Sequence, residues 1–221
     1  MRNVVPDRVA HELAGKAVAG RLENYAGEVR RLLDAAYSVM DRTGDIDPRV
    51  GDIVKESGLS NQAFYRHFAG KDALLVAVLD EGQRRLVETL ERRIGKVEPG
   101  GARVRSWIEC VLEQARNPEA AANTRPFAIN GVRLNDRFPA ETRASSDRVV
   151  APLRAAIVDA GGDPERDTAA INEIAMGTMH RYLVDRRTPS RADIEHIVRF
   201  ALAGLTSSSA TTERNGAQHG T

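Results

Sequence analysis

The tetrapeptide Ser57-Gly58-Leu59-Ser60 leaves one tight turn between two amphipathic segments, and few architectures accept helices joined so closely. Gly58 suits the position just past a helix C-terminus, where a left-handed backbone is needed and glycine adopts it without a Cβ penalty. Ser60 stands where it can cap the next helix by accepting a bond from a free backbone N–H. Before the turn, Val50, Ile53, Val54 and Leu59 face a core. After it, Phe64 and Phe68 lie one above the other and face inward. Two helices joined this way form a helix-turn-helix, with the second available for a major groove. The outer arc of that second helix carries Asn61, Gln62, Tyr65 and Arg66. Between residues 61 and 71 the charges are Arg66 and Lys71, with His67 titratable and no acid. The chain's net charge of +1 supplies no global field, so any nucleic-acid contact must come from such a local face.

The rest of the chain reads as helix throughout. Aromatic residues make up only 5%, too few for an ordinary β-sandwich, and no segment alternates as a strand does. A solid helix is expected over residues 23–42, where Val29, Leu32, Leu33, Ala36, Val39 and Met40 form one stripe. Thr43 and Gly44 end it. Asp47 then Pro48 predicts the next start, an N-cap followed by proline at the first helical position. Further helices are expected over 61–68, 71–94, 102–116, 119–135, 140–160, 165–185 and 192–205, about nine in all. Pro126 should bend the 119–135 segment and Gly131 loosen it. Residues 98–101 form a loop and a candidate subdomain boundary.

These elements define an all-α chain in four parts. Residues 1–22 are an N-terminal extension, a frayed helix or an arm whose Arg2, Arg8, Lys16 or Arg21 reaches a minor groove. Residues 23–70 form a three-helix helix-turn-helix head. Residues 71–206 form a larger helical domain, and 207–221 have the composition of a disordered tail. The single cysteine, Cys110, excludes an intrachain disulfide and suits a reducing compartment. The opening residues lack the apolar core of a signal peptide, and no run approaches transmembrane length, so a cytoplasmic protein is expected.

At GLSNQAFYRHFAGKDALL the chain resembles the TetR/AcrR family of bacterial transcriptional regulators. The resemblance covers residues 29–78: Leu32-Leu33-Asp34-Ala35-Ala36, the helix-ending Gly44, then Ile53, Gly58 and Ser60 at matching spacing. Phe64-Tyr65-Arg66-His67-Phe68 followed by Lys71-Asp72-Ala73-Leu74 completes it. Beyond residue 78 only the architecture matches. The resemblance implies a dimeric, ligand-responsive DNA-binding regulator, in most relatives a repressor. Such a dimer would bind a palindromic operator and be released by a small-molecule effector. It implies DNA reading by the early exposed positions Ser60, Asn61, Gln62 and Ala63. Asn61 and Gln62 are chemically apt, because an amide pairs with both N6 and N7 of adenine. Tyr65, His67 and Lys71 match positions that touch phosphates, and Arg66 could reach phosphate or guanine. The chain departs from the family where the second helix opens: Pro48 and Arg49 replace the usual threonines, and Gly51 a long polar residue. Arg49 is then a further candidate DNA contact.

The last helix carries two apolar sides. Ile194, Ile197, Val198, Ala201, Leu202 and Leu205 form one stripe, and His196, Phe200 and Ala203 a weaker second one. A helix with two apolar sides buries one in its own core and one against a neighbour. The preceding helix offers Ile174 and Gly177 among small residues that permit close approach, and the family pairs through its last two long helices. The expected dimer interface is therefore Ile174, Gly177, Ile194, Ile197, Val198, Phe200 and Ala201. Candidate effector-pocket residues are Trp107 and Cys110, Phe127 and Asn130, and Met176, Met179 and His180. Arg125 and Arg133 could meet an anionic effector, and no metal-site spacing or cofactor motif is present. No phosphate-binding glycine loop or nucleophile motif occurs, so an enzyme is not expected. The competing readings are a helical-bundle interaction protein with a vestigial DNA-binding head, and an activator rather than a repressor.

Overall fold

The computed structural model describes residues 7–216. The described residues form ten α-helices and no strand: α1 (Asp7–Thr43), α2 (Val50–Ser57), α3 (Asn61–His67), α4 (Lys71–Ile94), α5 (Gly101–Arg116), α6 (Pro118–Ile129), α7 (Gly131–Arg137), α8 (Pro139–Asp159), α9 (Arg166–Val184) and α10 (Arg191–Gly216). The chain divides into two compact units. The smaller holds α1 to α3 and the start of α4 through Leu75; the larger holds Gly44–Ile46 and the chain from Val76 on. The loop at 98–101 is therefore internal to the larger unit rather than a boundary.

In the smaller unit, α1 buries Leu32, Ala35, Ala36, Val39 and Met40, while Ile53, Phe64, Phe68, Leu74 and Leu75 are buried from the other helices. Two boundaries differ from expectation. The extension and the first helix are one helix, α1, which runs through Gly15, Gly20 and Gly27. Each interior glycine costs about 1 kcal/mol against alanine, and the Ala, Leu, Glu and Arg around them offset that cost. The described side chains between 11 and 26 are largely exposed, Lys16 and Arg21 among them; Arg2 and the side chain of Arg8 lie outside what is described. The second helix starts at Val50 rather than at Pro48. Its N-cap is Arg49, in an extended conformation with no side-chain cap bond. Asp47 lies two residues ahead of that N-cap, and its carboxylate lies 2.8 Å from Lys71 Nζ.

The larger unit is organised around α5, which packs against α6, α8, α9 and α10. A helix enclosed by neighbours must be apolar nearly all round. Accordingly Val104, Trp107, Ile108, Cys110, Val111, Leu112 and Ala115 are all buried on it. They join Leu153, Ala156 and Ile157 of α8, Ala175 and Leu183 of α9, and Val198 and Ala201 of α10 in one core. The expected helix over 119–135 is two, α6 and α7. At Asn130 the backbone leaves helical geometry (φ −108°, ψ 18°), and its side-chain amide donates to the Pro126 carbonyl at 2.9 Å. The side chain thus takes up a carbonyl at the end of α6, and Gly131 begins the next helix. At the far end, α10 continues as helix to Gly216, where composition suggested disorder from 207. Helix propagation past a packed stretch is cheap, and no strong breaker interrupts it before Gly216. Residues 217–221 of that expected tail lie outside the described residues.

Two polar devices set helix starts. Asp163 Oδ1 accepts from the backbone N–H groups of Glu165 and Arg166, each at 2.9 Å, at the head of α9. Ser190 and Asp193 bond reciprocally at the head of α10: Asp193 N–H donates to Ser190 Oγ at 3.1 Å, and Ser190 N–H to Asp193 Oδ2 at 2.8 Å. Between α8 and α9 the chain passes so close to the core that a Cβ on Gly162 would lie 2.9 Å from both Ile157 Cγ2 and Leu205 Cδ2. Overpacking of this kind costs about 1–3 kcal/mol. Gly162→Ala is expected to lower the unfolding free energy by that amount, seen as a lower urea midpoint with the m-value unchanged.

Candidate nucleic-acid interface

The candidate interface is α3 and what holds it. Gly58 adopts φ 65°, ψ 20°, the left-handed conformation expected at that turn. Ser60 is extended, and its Oγ accepts the Ala63 N–H at 3.1 Å, so the predicted cap is present. Ala63 and Phe64 are buried on α3, and the Phe64 and Phe68 rings pack at 5.8 Å between centroids, tilted by 43°. This inward anchoring turns Ser60, Asn61, Gln62, Tyr65 and Arg66 outward, and all five are exposed. Tyr65, 61% exposed, sets its ring edge-on to Phe64. Arg49 is exposed just ahead of α2. Ala63, expected among the reading positions, is in the core instead.

The basic residues of this face are not arranged as the sequence suggested. The His67 side chain is only 6% exposed, and its Nε2–H donates to Glu28 Oε2 of α1 at 2.6 Å. Arg66 pairs with the same carboxylate oxygen, and its guanidinium lies 5.4 Å from the centre of the Tyr25 ring. Tyr25 also meets the His67 ring edge-on at 5.2 Å. Lys71 is paired with Asp47. Arg66, His67 and Lys71 thus each have a carboxylate partner inside the unit. Glu28 escaped the sequence reading because it lies 38 residues from Arg66, beyond any helical spacing. The absence of acids near Arg66 reads instead as an open basic face.

The effector candidates divide. Trp107, Cys110 and Met179 are buried in the common core, with Met176 packed against it. Trp107 Nε1–H donates to the Val149 carbonyl at 2.9 Å, so the indole's polar atom is consumed by the fold. Burial pushes the Cys110 thiol above its ordinary range, which leaves it an inert core group. Asn130 donates to Pro126 and, at 3.3 Å, to the Gly44 carbonyl. Phe127 is half-buried, while His180 is exposed and stands apart from the core residues. Arg125 donates to the Leu183 carbonyl at 3.2 Å, and Arg133 pairs with Asp45 at 3.5 Å. A groove of about 580 Å³ runs elsewhere, along α8, over Val150, Ala151, Ala155 and Val158. Among the described residues no cluster of His, Cys, Asp and Glu could hold a metal, and no helix is long and apolar enough to cross a membrane.

The residues expected at the dimer face differ in their exposure. Ile194, Val198 and Ala201 are buried in the chain's own core and have no surface to offer a partner. Phe200 is 62% exposed, Gly177 exposed, and Ile174 and Ile197 half-buried. The two stripes of α10 thus separate: the stronger one faces inward and the Phe200 side is left open.

Comparison with known proteins agrees with this geometry. Residues 32–78 match the family described as bacterial regulatory proteins, tetR family. The HTH-type transcriptional regulator BetI of Brucella anthropi is 33% identical over 79 residues, 36% of this chain. The match spans 41% of BetI, under half its length. At the level of fold, the fatty acid degradation regulator FadR from Bacillus halodurans aligns with TM-score 0.69 at 16% identity, over 80% of this chain and 96% of that one. A TetR transcription regulator from Haloarcula marismortui gives 0.68 at 21%, over 83% and 98%. FadR from Bacillus subtilis in complex with stearoyl-CoA gives 0.65 at 16%, over 81% and 98%. The proteins matched are regulators, not enzymes.

The Glu28 carboxyl is held below its ordinary value of 4.5, first by the His67 hydrogen bond and next by that of Arg66. A carboxyl that titrates lower in the folded chain binds fewer protons there. Its contribution to stability is therefore full above the unfolded value and lost as pH falls through the folded one. Wild type is expected to lose stability more steeply than Glu28→Gln as pH drops below about 4.5, read from urea midpoints across an acid series.

Proposed function

We propose that this chain, a member of the TetR family of bacterial regulatory proteins, binds a palindromic operator as a homodimer, with α3 in the major groove, and represses transcription until a small-molecule effector releases it. The observation that carries the reading is the Ser60-capped, phenylalanine-anchored α3, which turns Asn61, Gln62 and Tyr65 outward together. Amide side chains on an exposed helix suit adenine edges, while the Tyr65 hydroxyl suits phosphate. Arg49 stands close enough in sequence to add a backbone contact.

Dimerisation is part of the reading. A seven-residue helix offers too little contact for operator affinity alone, and two-fold symmetry sets two copies about 34 Å apart on successive turns of DNA. The open face of α10 at Phe200, with Ile197, and of α9 at Gly177, with Ile174, supports pairing through these helices. Phe200→Asp, at an exposed position, is expected to leave the circular dichroism spectrum intact, halve the mass in light scattering and abolish operator binding. A dimer unaffected by that charge places the interface elsewhere.

Release follows from linkage. An effector that favours a form with misplaced α3 helices weakens DNA binding by the factor by which DNA weakens effector binding. The helix α4 is continuous through both units, which makes it the covalent route for that signal. The Bacillus subtilis regulator of this fold is seen with stearoyl-CoA, which supports a fold able to house a ligand.

The decisive test is a gel shift with the DNA flanking the chain's own gene. Wild type is expected to retard it. Asn61→Ala and Gln62→Ala should each weaken binding by roughly 1–3 kcal/mol, the range for one bidentate base contact. Retention of full affinity by both variants would exclude α3 as the reading element.

A further inference from the structure

Arg66 is the one full cation on α3, and in this structure it is occupied. Glu28 Oε2 accepts from both Arg66 and His67, and the Glu28 side chain is only 23% exposed. Tyr25, three residues earlier on α1, completes the enclosure with its ring beneath the guanidinium and against the imidazole. Arg21, Asn24, Tyr25, Glu28 and Arg66 line one small cleft of about 200 Å³. A carboxylate offers guanidinium the same oxygen acceptors and charge that a phosphate does. Moving Arg66 to a phosphate would therefore cost its carboxylate and its aromatic contact together.

We propose that Glu28 is a specificity-determining residue of the DNA-binding head, which acts by holding Arg66 off the phosphate backbone. The inference rests on the DNA-binding reading above. Binding to arbitrary duplex comes almost wholly from cations that displace counterions, and each phosphate neutralised steepens the salt dependence by about 0.9 in log K against log[salt]. An α3 that offered Arg66 freely would gain affinity for every sequence alike. With the charge paired internally, a larger share of the contact comes from Asn61 and Gln62, which read bases. Glu28 touches no DNA in this scheme; it positions Arg66.

The test measures binding to a random-sequence duplex by fluorescence anisotropy across a salt series. Glu28→Gln keeps the shape and removes the charge. It is expected to bind several-fold more tightly than wild type at low salt, with a slope steeper by about 0.9. The double variant Glu28→Gln with Arg66→Gln should return to the wild-type slope, and Arg66→Gln alone should leave that slope unchanged. A merely structural role for Glu28 would alter stability without steepening the slope. An unchanged slope in Glu28→Gln overturns the inference, as does a flatter slope in Arg66→Gln, which would mean that Arg66 already neutralises a phosphate. Should Glu28→Gln lose its helical circular dichroism, the Arg66→Gln arm decides alone. If neither wild type nor Glu28→Gln binds duplex at low salt, the DNA-binding reading fails and takes this inference with it. Wild-type binding with unchanged slopes in Glu28→Gln removes the inference only.

Discussion

A helix of seven residues does not hold itself together in water, and α3, the element proposed to read DNA, is one. Everything that α3 could do depends on what pins it. Ser60 satisfies a backbone donor at its start, Phe64 and Phe68 bury its inner side, and Glu28 reaches across from α1 to hold its last turn by two side chains. Those three constraints fix both where the helix lies in its unit and which residues turn outward. Remove the apolar anchor and the amides of Asn61 and Gln62 have no defined direction.

The same contacts explain why the face is less basic than its sequence. A cation at a protein surface pairs with any carboxylate the fold brings near, and here the fold brings Glu28 to Arg66 and Asp47 to Lys71. Pairing gives the last turn of α3 a fixed geometry and, on the proposal made for Glu28, lowers the head's general affinity for polyanions. Preorganised amides and hydroxyls then weigh more in any recognition than loose charge.

In the larger unit the governing element is α5, enclosed by four helices. Its apolar side chains were legible from their spacing, yet their use was not. Trp107 and Cys110 stood as pocket candidates, although such residues at helical spacing more often fill a core. The bond from the indole to the Val149 carbonyl and the near-zero exposure of both residues assign them to the core. Likewise, Ile194, Val198 and Ala201 and Phe200 all read as apolar positions of one helix. Only the placement of α5 and α9 beside α10 decides that the first three face inward and the fourth does not.

The sequence by itself determined the helical class, the turn at Gly58, the cap at Ser60, the inward phenylalanines and the outward Asn61 and Gln62. These are local matters, set within a few residues by backbone sterics, hydrogen bonding and the helical period. Helix ends near glycine and proline were less legible, because each glycine's cost is small enough for its neighbours to overrule; α1 runs through three of them and α6 ends beside one. Tertiary structure decided what local rules cannot reach: that Arg66 and His67 share one carboxylate 38 and 39 positions away, that Asp47 pairs with Lys71, and which apolar side of α10 remains open. Charge pairing and burial act through space, and distance along the chain carries no record of them.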